Sequence, residues 1–303
     1  MLALGCASLP AAPCPVWPSS PPAAGQGVPI GWLPTRHGTS LPVVTAVIGD
    51  QAVRLALDTG ANLHMIEAGV AWWLRLPGED AESATGILDA AGRIAVVERR
   101  GLVPLRLGDP ALDRAEPLTS VAAPFLLEAG IAGVLSPQRL APEGRAVEVD
   151  LRAGSMRVLT PAETEASAGP GWVALEPGCA SDDGVPIFLV DVRIEGHLTR
   201  MIVDTGSDTT CLDARPERGW TLPQRPRRAA QRQTLGDSRP VSVLDGTEVS
   251  ISGLTRRVAV DMEDIPAEDP TCPNDGRLGS DVLRSCRLVL DRDHGALLCA
   301  DGP

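Results

Sequence analysis

The sequence predicts an all-β protein built from two homologous lobes related by a pseudo-twofold axis, with a few short helices. Two observations support this prediction. The 303 residues include 31 Gly and 28 Pro, and such frequent turn formers favour many short elements over long helices. A series of sequence features also occurs twice in the same order, which indicates an internal duplication.

The clearest repeated feature is the tripeptide Asp-Thr-Gly. It stands at 58–60 within LALDTGANLHMI and again at 204–206 within MIVDTGSDTTCL. Farther along, IAGVLS at 131–136 is matched by DGRLGS at 275–280. Because the shift between copies stays nearly constant from match to match, a duplication explains the pattern and chance does not.

The duplication divides the chain into three parts. We predict a lipoprotein-like N-terminus with a Pro-rich tether at 1–27, a first lobe at 28–165 and a second lobe at 166–303. The linker is expected within 160–171, where the residues are small and polar. Each lobe then has an ordinary size for one domain.

Each lobe opens with a predicted β-hairpin that ends at the repeated aspartate. Apolar runs flank Gly-Asp in 41–58 and Glu-Gly in 187–204, which is typical of a strand–turn–strand unit. Alternating apolar and polar residues predict a later strand at 101–108 and its counterpart at 246–253.

Two short helices are predicted at 66–75 and 279–285. In the first we expect Trp72-Trp73 to pack beneath the lobe, with a place in a substrate pocket as the alternative. In the second, Ser280 is expected to be the helix cap. Regular strand–helix alternation is missing from the sequence, which excludes a parallel α/β architecture.

The repeated loops suggest one shared catalytic site. If they meet on the axis, Asp58 and Asp204 face each other, and two such close carboxylates share one proton because both cannot ionise. One can then act as general base on a bound water while the other donates a proton to a carbonyl oxygen. A single Asp-Thr-Gly is better explained as a strand ending in a turn, and the second copy favours catalysis.

The residues beside each aspartate suit this interpretation. Gly60 and Gly206 permit a tight turn and bring backbone N–H groups close to the carboxylates. Thr59 and Thr205 carry hydroxyls that can hydrogen-bond across the axis and hold the two loops together.

One difference between the loops predicts an unequal pair. Ser207 can donate a hydrogen bond to Asp204, whereas Ala61 has no hydroxyl to donate to Asp58. Because a donor to the charged form lowers a pKa, we hypothesise that Asp204 ionises more readily and that Asp58 more often holds the proton.

Paired apolar-apolar-apolar-Asp-Thr-Gly loops, each followed by an apolar-apolar-Gly element, which Leu278-Gly279 matches well, resemble those of the aspartic proteases. The lobe size is similar to the retropepsin branch and the single-chain duplication is similar to pepsin. The resemblance covers roughly residues 28–303. It implies closed pepsin/retropepsin-like β lobes, an aspartic-type endopeptidase with Asp58 and Asp204 as the dyad, and an extended peptide or protein as substrate.

The resemblance also implies a mobile hairpin flap over the bound peptide. We place the flap of the first lobe at 85–97, with Ala91 and Gly92 near its tip. The equivalent segment of the second lobe is 233–244, which contains Gly236.

The first lobe departs from the family pattern. It has Ser136 where the family has Gly, and His64 where the second lobe has Thr210. The chain also lacks the Tyr of a pepsin-like flap. These departures leave two alternatives open: a catalytically weak or inactive module that binds extended peptides, and two independent lobes that form intermolecular dimers.

The N-terminus resembles the lipobox of bacterial lipoproteins at Ala3-Leu4-Gly5-Cys6. This resemblance implies lipidation of Cys6, a membrane association through that anchor alone and a location at the cell envelope, either periplasmic or on the surface. The basic and apolar segments of a signal peptide are missing before it, which a misassigned start codon would explain.

The net charge and the histidines limit the partners and cofactors that we expect for this protein. A net charge of −12 disfavours nucleic acid, and the four His show no metal-binding spacing, so we expect no metal and no cofactor. We expect a monomer that contains an intramolecular pseudo-dimer.

Of seven Cys, six remain if Cys6 is lipidated, and they are either disulfides or buried thiols.

Overall fold

The structure is a computed structural model that is mostly β with a few short helices. It describes residues 27–35, 38–78, 85–88, 94–180, 184–215, 226–233, 238–264 and 272–300. None of the helices in these ranges has the length and apolar character needed to cross a bilayer. The predicted β-rich architecture with short helices is confirmed.

Most elements of the described part of the chain are short, as the frequent turn formers predict, although β7 has 13 residues and β17 has 14. The strands of the first half are β1 (Val28–Pro29), β2 (Gly31–Pro34), β3 (Ser40–Ile48), β4 (Gln51–Leu57), β5 (His64–Glu67), β6 (Thr85–Leu88), β7 (Ile94–Arg106), β8 (Arg114–Val121), β9 (Gly133–Leu135), β10 (Val147–Asp150) and β11 (Ser155–Val158). Those of the second half are β12 (Val173–Ala180), β13 (Pro186–Ile194), β14 (His197–Val203), β15 (Cys211–Asp213), β16 (Arg227–Gln233), β17 (Ser238–Ile251), β18 (Leu254–Glu263), β19 (Gly276–Leu278), β20 (Cys286–Leu290) and β21 (Gly295–Cys299). The helices are α1 (Ala68–Trp73), α2 (Pro124–Glu128), α3 (Pro161–Ala166) and α4 (Ser280–Leu283), with a 3₁₀ helix at Pro137–Leu140.

The strands form two sheets. The first has the order β2-β3-β4-β9-β5-β8-β7-β6, and an additional pairing of β3 with β7 closes six of its strands into a barrel. The second is larger, with 13 strands, and an additional pairing of β13 with β17 closes a circuit of six strands there. Closure leaves those strands without a free edge.

The pairings recur between the halves. β4 lies parallel to β9, and β14 lies parallel to β19. β5 lies parallel to β8, and β15 lies parallel to β18. Each repeated Asp-Thr-Gly therefore follows a strand that holds the same place in its own circuit.

Both predicted hairpins that lead to the aspartates are confirmed. β3 and β4 pair around Gly49-Asp50, and β13 and β14 pair around Glu195-Gly196. Glu195 and Gly196 have φ values of 48° and 83°, the left-handed pair that a type I′ hairpin turn requires. The predicted later strands overlap β7 and β17, and each prediction runs two residues past the observed end of its strand.

The larger sheet joins the two halves of the chain. β10 pairs antiparallel with β20, for example Val147 with Leu290, and β11 and β1 extend the sheet beyond β10. Val147 and Leu290 are fully buried. The lobes predicted from the repeat thus share a continuous sheet beyond their own circuits.

The predicted helices at 66–75 and 279–285 correspond to α1 and α4, but two details of the prediction are wrong. Trp72 and Trp73 are 80% and 47% exposed, because α1 turns Val70 and Ala71 toward the core instead. Ser280 is the first residue of α4 rather than its cap, and its hydroxyl donates to the carbonyl of Thr205 at 2.7 Å.

One helix lies where only a linker was predicted. α3 occupies the stretch 160–171, and it begins at a capping box in which the Thr160 hydroxyl accepts the N–H of Glu163 and the Glu163 carboxylate accepts the N–H of Thr160. Thr followed three residues later by Glu was the signal for it.

The cysteines take both of the forms left open. Cys286 and Cys299 form a disulfide that joins β20 to β21, and Cys272 is also disulfide-bonded. Cys211 is a buried thiol. Cys6 and Cys14 lie outside the described residues.

Candidate active site

The two Asp-Thr-Gly loops meet in the structure. Asp58 follows β4 and Asp204 follows β14. Each backbone N–H continues the parallel ladder by one hydrogen bond, from Asp58 to the carbonyl of Leu135 at 2.9 Å and from Asp204 to that of Leu278 at 3.1 Å. The parallel strand beside each loop therefore fixes where its aspartate begins.

Four hydrogen bonds tie the loops together through two threonines. The Thr59 hydroxyl donates to the carbonyl of Val203 at 2.7 Å, and the Thr205 hydroxyl donates to that of Leu57 at 2.6 Å. Each hydroxyl also accepts the N–H of the opposite threonine, at 3.1 and 3.0 Å. Because Thr59 and Thr205 are fully buried, water does not compete for these bonds.

The two carboxyl groups are hydrogen-bonded to each other. The N–H of Gly60 donates to Oδ1 of Asp58 at 2.8 Å, and the N–H of Ser207 donates to Oδ1 of Asp204 at 3.0 Å. Asp204 is only 7% exposed. Backbone donors thus hold both carboxyl groups, with Asp204 buried and Asp58 partly exposed.

The loop glycines are required by the close approach of the opposite aspartate. A Cβ on Gly60 would lie 2.6 Å from Cγ of Asp204, and a Cβ on Gly206 would overlap the carboxyl group of Asp58. Any larger residue at either position would push the two carboxyl groups apart.

The environment makes the two acids unequal. Burial, and then the adjacent charge of Asp204, raise the pKa of Asp58 well above its ordinary value. Burial also raises the pKa of Asp204, but the nearby Arg277 guanidinium and the hydrogen bond from Asp58 act to lower it. The shared proton is therefore favoured on Asp58 and the charge on Asp204.

This is the hypothesised direction, but the hypothesised cause is wrong. The Ser207 hydroxyl donates to the carbonyl of Thr209 at 2.7 Å rather than to Asp204. Only its backbone N–H reaches the aspartate, and the backbone of Ala61 does the same for Asp58. The difference between the loops comes from Arg277.

Sequence reasoning missed Arg277. It lies on β19, is 8% exposed, and places its Nε 3.6 Å from Oδ2 of Asp204. The repeat contained a signal for it, because Arg277 stands where the first half has Val134. An arginine within an otherwise apolar-apolar-Gly element needs a buried partner.

Two further supporting residues were also missed. Gln138 is fully buried, and its amide donates to the carbonyls of Thr59 at 3.2 Å and Ala61 at 2.9 Å. At the same place in the second copy, the Asp281 carboxylate accepts the N–H and the hydroxyl of Thr210, at 3.0 and 2.7 Å. Each lobe thus braces its loop with a different polar side chain.

The predicted flap residues lie outside the described part of the chain. β6 and β7 pair as a hairpin in the first half, and β16 and β17 do so in the second. Ala91, Gly92 and Gly236, the residues predicted for the flaps, lie outside the described residues.

Two adjacent carboxyl groups that share a proton form the arrangement of an acid–base site. Comparison with protein families agrees for the second half, because the family described as aspartyl protease matches residues 190–282. This segment runs from β13 into α4 and contains Asp204 and Arg277. The segment 190–282 is therefore similar to an aspartyl protease domain of the retropepsin-like kind. A comparison with curated proteins gives no significant match.

Proposed function

We propose that the protein is an aspartic-type endopeptidase that hydrolyses peptide bonds with a water held between Asp58 and Asp204. The observation that carries the proposal is the hydrogen-bonded carboxyl pair on two cross-braced loops. The aspartyl protease match over 190–282 supports the same chemistry in the half that supplies Asp204.

The unequal pKa values of Asp58 and Asp204 assign a different catalytic role to each acid. Asp204 carries the charge and removes a proton from the water, which attacks the carbonyl carbon of the peptide bond, while Asp58 donates its proton to the carbonyl oxygen. The resulting tetrahedral diol collapses when a diol proton returns to a carboxylate and a proton passes to the leaving nitrogen. The C–N bond then breaks to give an acid and an amine, without a metal or a covalent intermediate.

We also propose that the lobes, 28–165 and 166–303, are related by a pseudo-twofold axis through the dyad. The reciprocal bonds of Thr59 and Thr205 support this relation, as do the repeated strand pairings. The protein would then act as a monomer, since a single chain supplies both aspartates.

The substrate is proposed to be an extended peptide or protein segment. A strand-like peptide can bind across the axis beneath hairpins such as β6–β7 and β16–β17. The flap residues predicted from the sequence, Ala91, Gly92 and Gly236, lie outside the described residues. The net charge of −12 argues against nucleic acid as a partner.

For location we propose the cell envelope, with Cys6 as a lipid anchor and residues up to 27 as its tether. The disulfide between Cys286 and Cys299 supports an oxidising compartment. Labelling with a radioactive fatty acid, with Cys6→Ser as the control, tests the anchor: label that persists in the variant contradicts it.

The test of function is cleavage of a peptide library by the full chain. Asp58→Asn and Asp204→Asn, each of which keeps the side-chain size, should each lower the rate by about 10²–10⁴-fold. A statine-type inhibitor, which imitates the tetrahedral diol, should block the parent. Peptide binding without any cleavage by the parent, unchanged in both variants, would instead support a binding module.

A further inference from the structure

A buried cation stands directly beside the proposed dyad. The Arg277 guanidinium lies between two acids, with Nε 3.6 Å from Oδ2 of Asp204 and Nη2 3.2 Å from Oε2 of Glu263. The side chains of all three are at most 10% exposed. At such burial, charges interact far more strongly than at a surface.

The first half shows that the fold does not need these charges. Cys211, Glu263 and Arg277 come together because β15 pairs with β18 on one side and with β19 on the other. The corresponding positions of the first half, set by the same pairings of β5 with β8 and β9, are apolar and belong to one buried cluster: Met65, Val121 and Val134.

A charged layer in one lobe and an apolar layer in the other give the dyad an asymmetric field. Burying an ion pair is seldom more stabilising than packing apolar residues of similar volume. The arginine at this position therefore calls for a role other than stability, and the group that it reaches is the carboxylate of Asp204.

We propose that Arg277 is a positioning residue that fixes the shared proton on Asp58 and leaves Asp204 as the ionised base. The inference rests on the proposed function and adds to it the residue that makes the two acids unequal. Arg277 acts through Asp204 and is not itself a catalytic residue.

The charged and titratable groups around the pair determine the sign of its effect. Asp58 faces Asp204 from the opposite loop, while Glu263 faces Arg277 from β18 and the Cys211 thiol faces it from β15, with Sγ 3.6 Å from Nη2. Glu263 partly neutralises the guanidinium and, being negative, opposes ionisation of Asp204. Arg277 and Glu263 thus have opposite effects on the ionisation of Asp204.

The first ionisation of the dyad should depend most on Arg277. The first ionisation places the negative charge on Asp204, next to the guanidinium. The second ionisation places a negative charge on Asp58, which lies beyond Asp204 as seen from Arg277. Loss of Arg277 should therefore raise the pH of the acid limb of the kcat/KM profile by about one unit, and should move the alkaline limb less.

The experiment compares four variants of the full chain. Arg277→Val is paired with the double variant Arg277→Val/Glu263→Val, which reproduces the first-half residues and leaves no orphaned carboxylate. Arg277→Lys keeps the charge and should restore most of the parent profile. Glu263→Gln removes the opposing charge, and it should move the acid limb to lower pH, opposite to Arg277→Val.

A matched control removes an arginine elsewhere. Arg257→Val breaks an exposed ion pair with Glu248, 3.2 Å between Nη2 and Oε2, and should leave both limbs unchanged. Carbon-13 NMR titration of the aspartate carboxyl carbons, assigned with Asp58→Asn and Asp204→Asn, measures the same shift without any substrate.

The two readouts separate this inference from the proposed function. If the parent cleaves no peptide, the function fails, while a higher midpoint for Asp204 in the double variant still supports the role of Arg277. If the parent is active and the folded Arg277→Val variant titrates like the parent, the inference is overturned and the function stands. Shifts of the same sign in Arg277→Val and Glu263→Gln would also overturn it.

Discussion

The imidazole Nδ1 of His64 accepts the backbone N–H of Ser136 at 3.1 Å. In the second half, the hydroxyl of Thr210 accepts the N–H of Gly279, also at 3.1 Å. The two pairs hold the same places in the repeat. His64 and Ser136, the two departures of the first lobe from the family pattern, are therefore linked. The imidazole of His64 accepts the backbone N–H that a threonine hydroxyl accepts in the second lobe.

This exchange predicts that His64 is a structural residue. His64→Ala removes the acceptor of a buried N–H and leaves a cavity, so the free energy of unfolding should fall by about 2–4 kcal/mol. His64→Thr, which restores a hydroxyl, should recover part of the loss. Urea unfolding measures both.

The control for this prediction is His294→Ala, because the His294 side chain is 85% exposed; its effect should stay within about 0.5 kcal/mol. A loss no larger in His64→Ala than in His294→Ala would show that the bond to Ser136 contributes nothing.

Thr205 should matter for both stability and activity. Thr205→Val removes the donor to the Leu57 carbonyl and the acceptor of the Thr59 N–H, and it leaves both backbone groups buried and unsatisfied. We expect a loss of about 2–4 kcal/mol in the free energy of unfolding, together with weaker peptidase activity. Thr205→Ser keeps the hydroxyl and should remain close to the parent, and equal losses in the two variants would contradict the role of the hydroxyl.

The features that could be predicted from the sequence are those set by local pattern or by the repeat. Turn residues and alternation specify the hairpins β3–β4 and β13–β14, because both depend on neighbours in sequence. The duplication alone suggests that Asp58 and Asp204 belong together. Asp58 and Asp204 could be paired without knowledge of the strand register, since each follows an equivalent strand in its own copy of the repeat.

What could not be predicted depends on register and on local competition for hydrogen bonds. Arg277 reaches Glu263 only because β15 lies between β18 and β19, and sequence spacing carries no sign of that order. The Ser207 hydroxyl bonds to the carbonyl of Thr209 and not to Asp204. Exposure of Trp72 follows from which face of a six-residue helix meets the core, which so short a helix hardly specifies.

The stability of the protein should depend on pH through Asp281. Burial raises the pKa of its carboxyl from 3.8 to about 6 in the folded chain. The folded state then holds this proton more tightly than the unfolded state, so the stabilisation is complete below about pH 4 and is lost as the pH rises through 6.

The measurement is the difference in unfolding free energy between the parent and Asp281→Asn at about pH 4 and pH 7. The difference should change by up to about 3 kcal/mol in favour of the variant at the higher pH. The dyad titrates in both proteins, so its contribution cancels. A difference that is constant with pH would show that Asp281 has an ordinary pKa.

The disulfide between Cys286 and Cys299 should stabilise the sheet that joins the two halves. It links β20 to β21 across 13 residues of sequence, and β20 pairs with β10 of the first half. Closing a loop of this size lowers the entropy of the unfolded chain and so stabilises the folded state by about 3 kcal/mol. The variant Cys286→Ala/Cys299→Ala should therefore unfold at a lower urea concentration than the oxidised parent. Cys211→Ala, which removes a buried thiol that forms no disulfide within the described chain, is the matched control. If the double variant loses no more stability than this control, the bridge does not stabilise the joint.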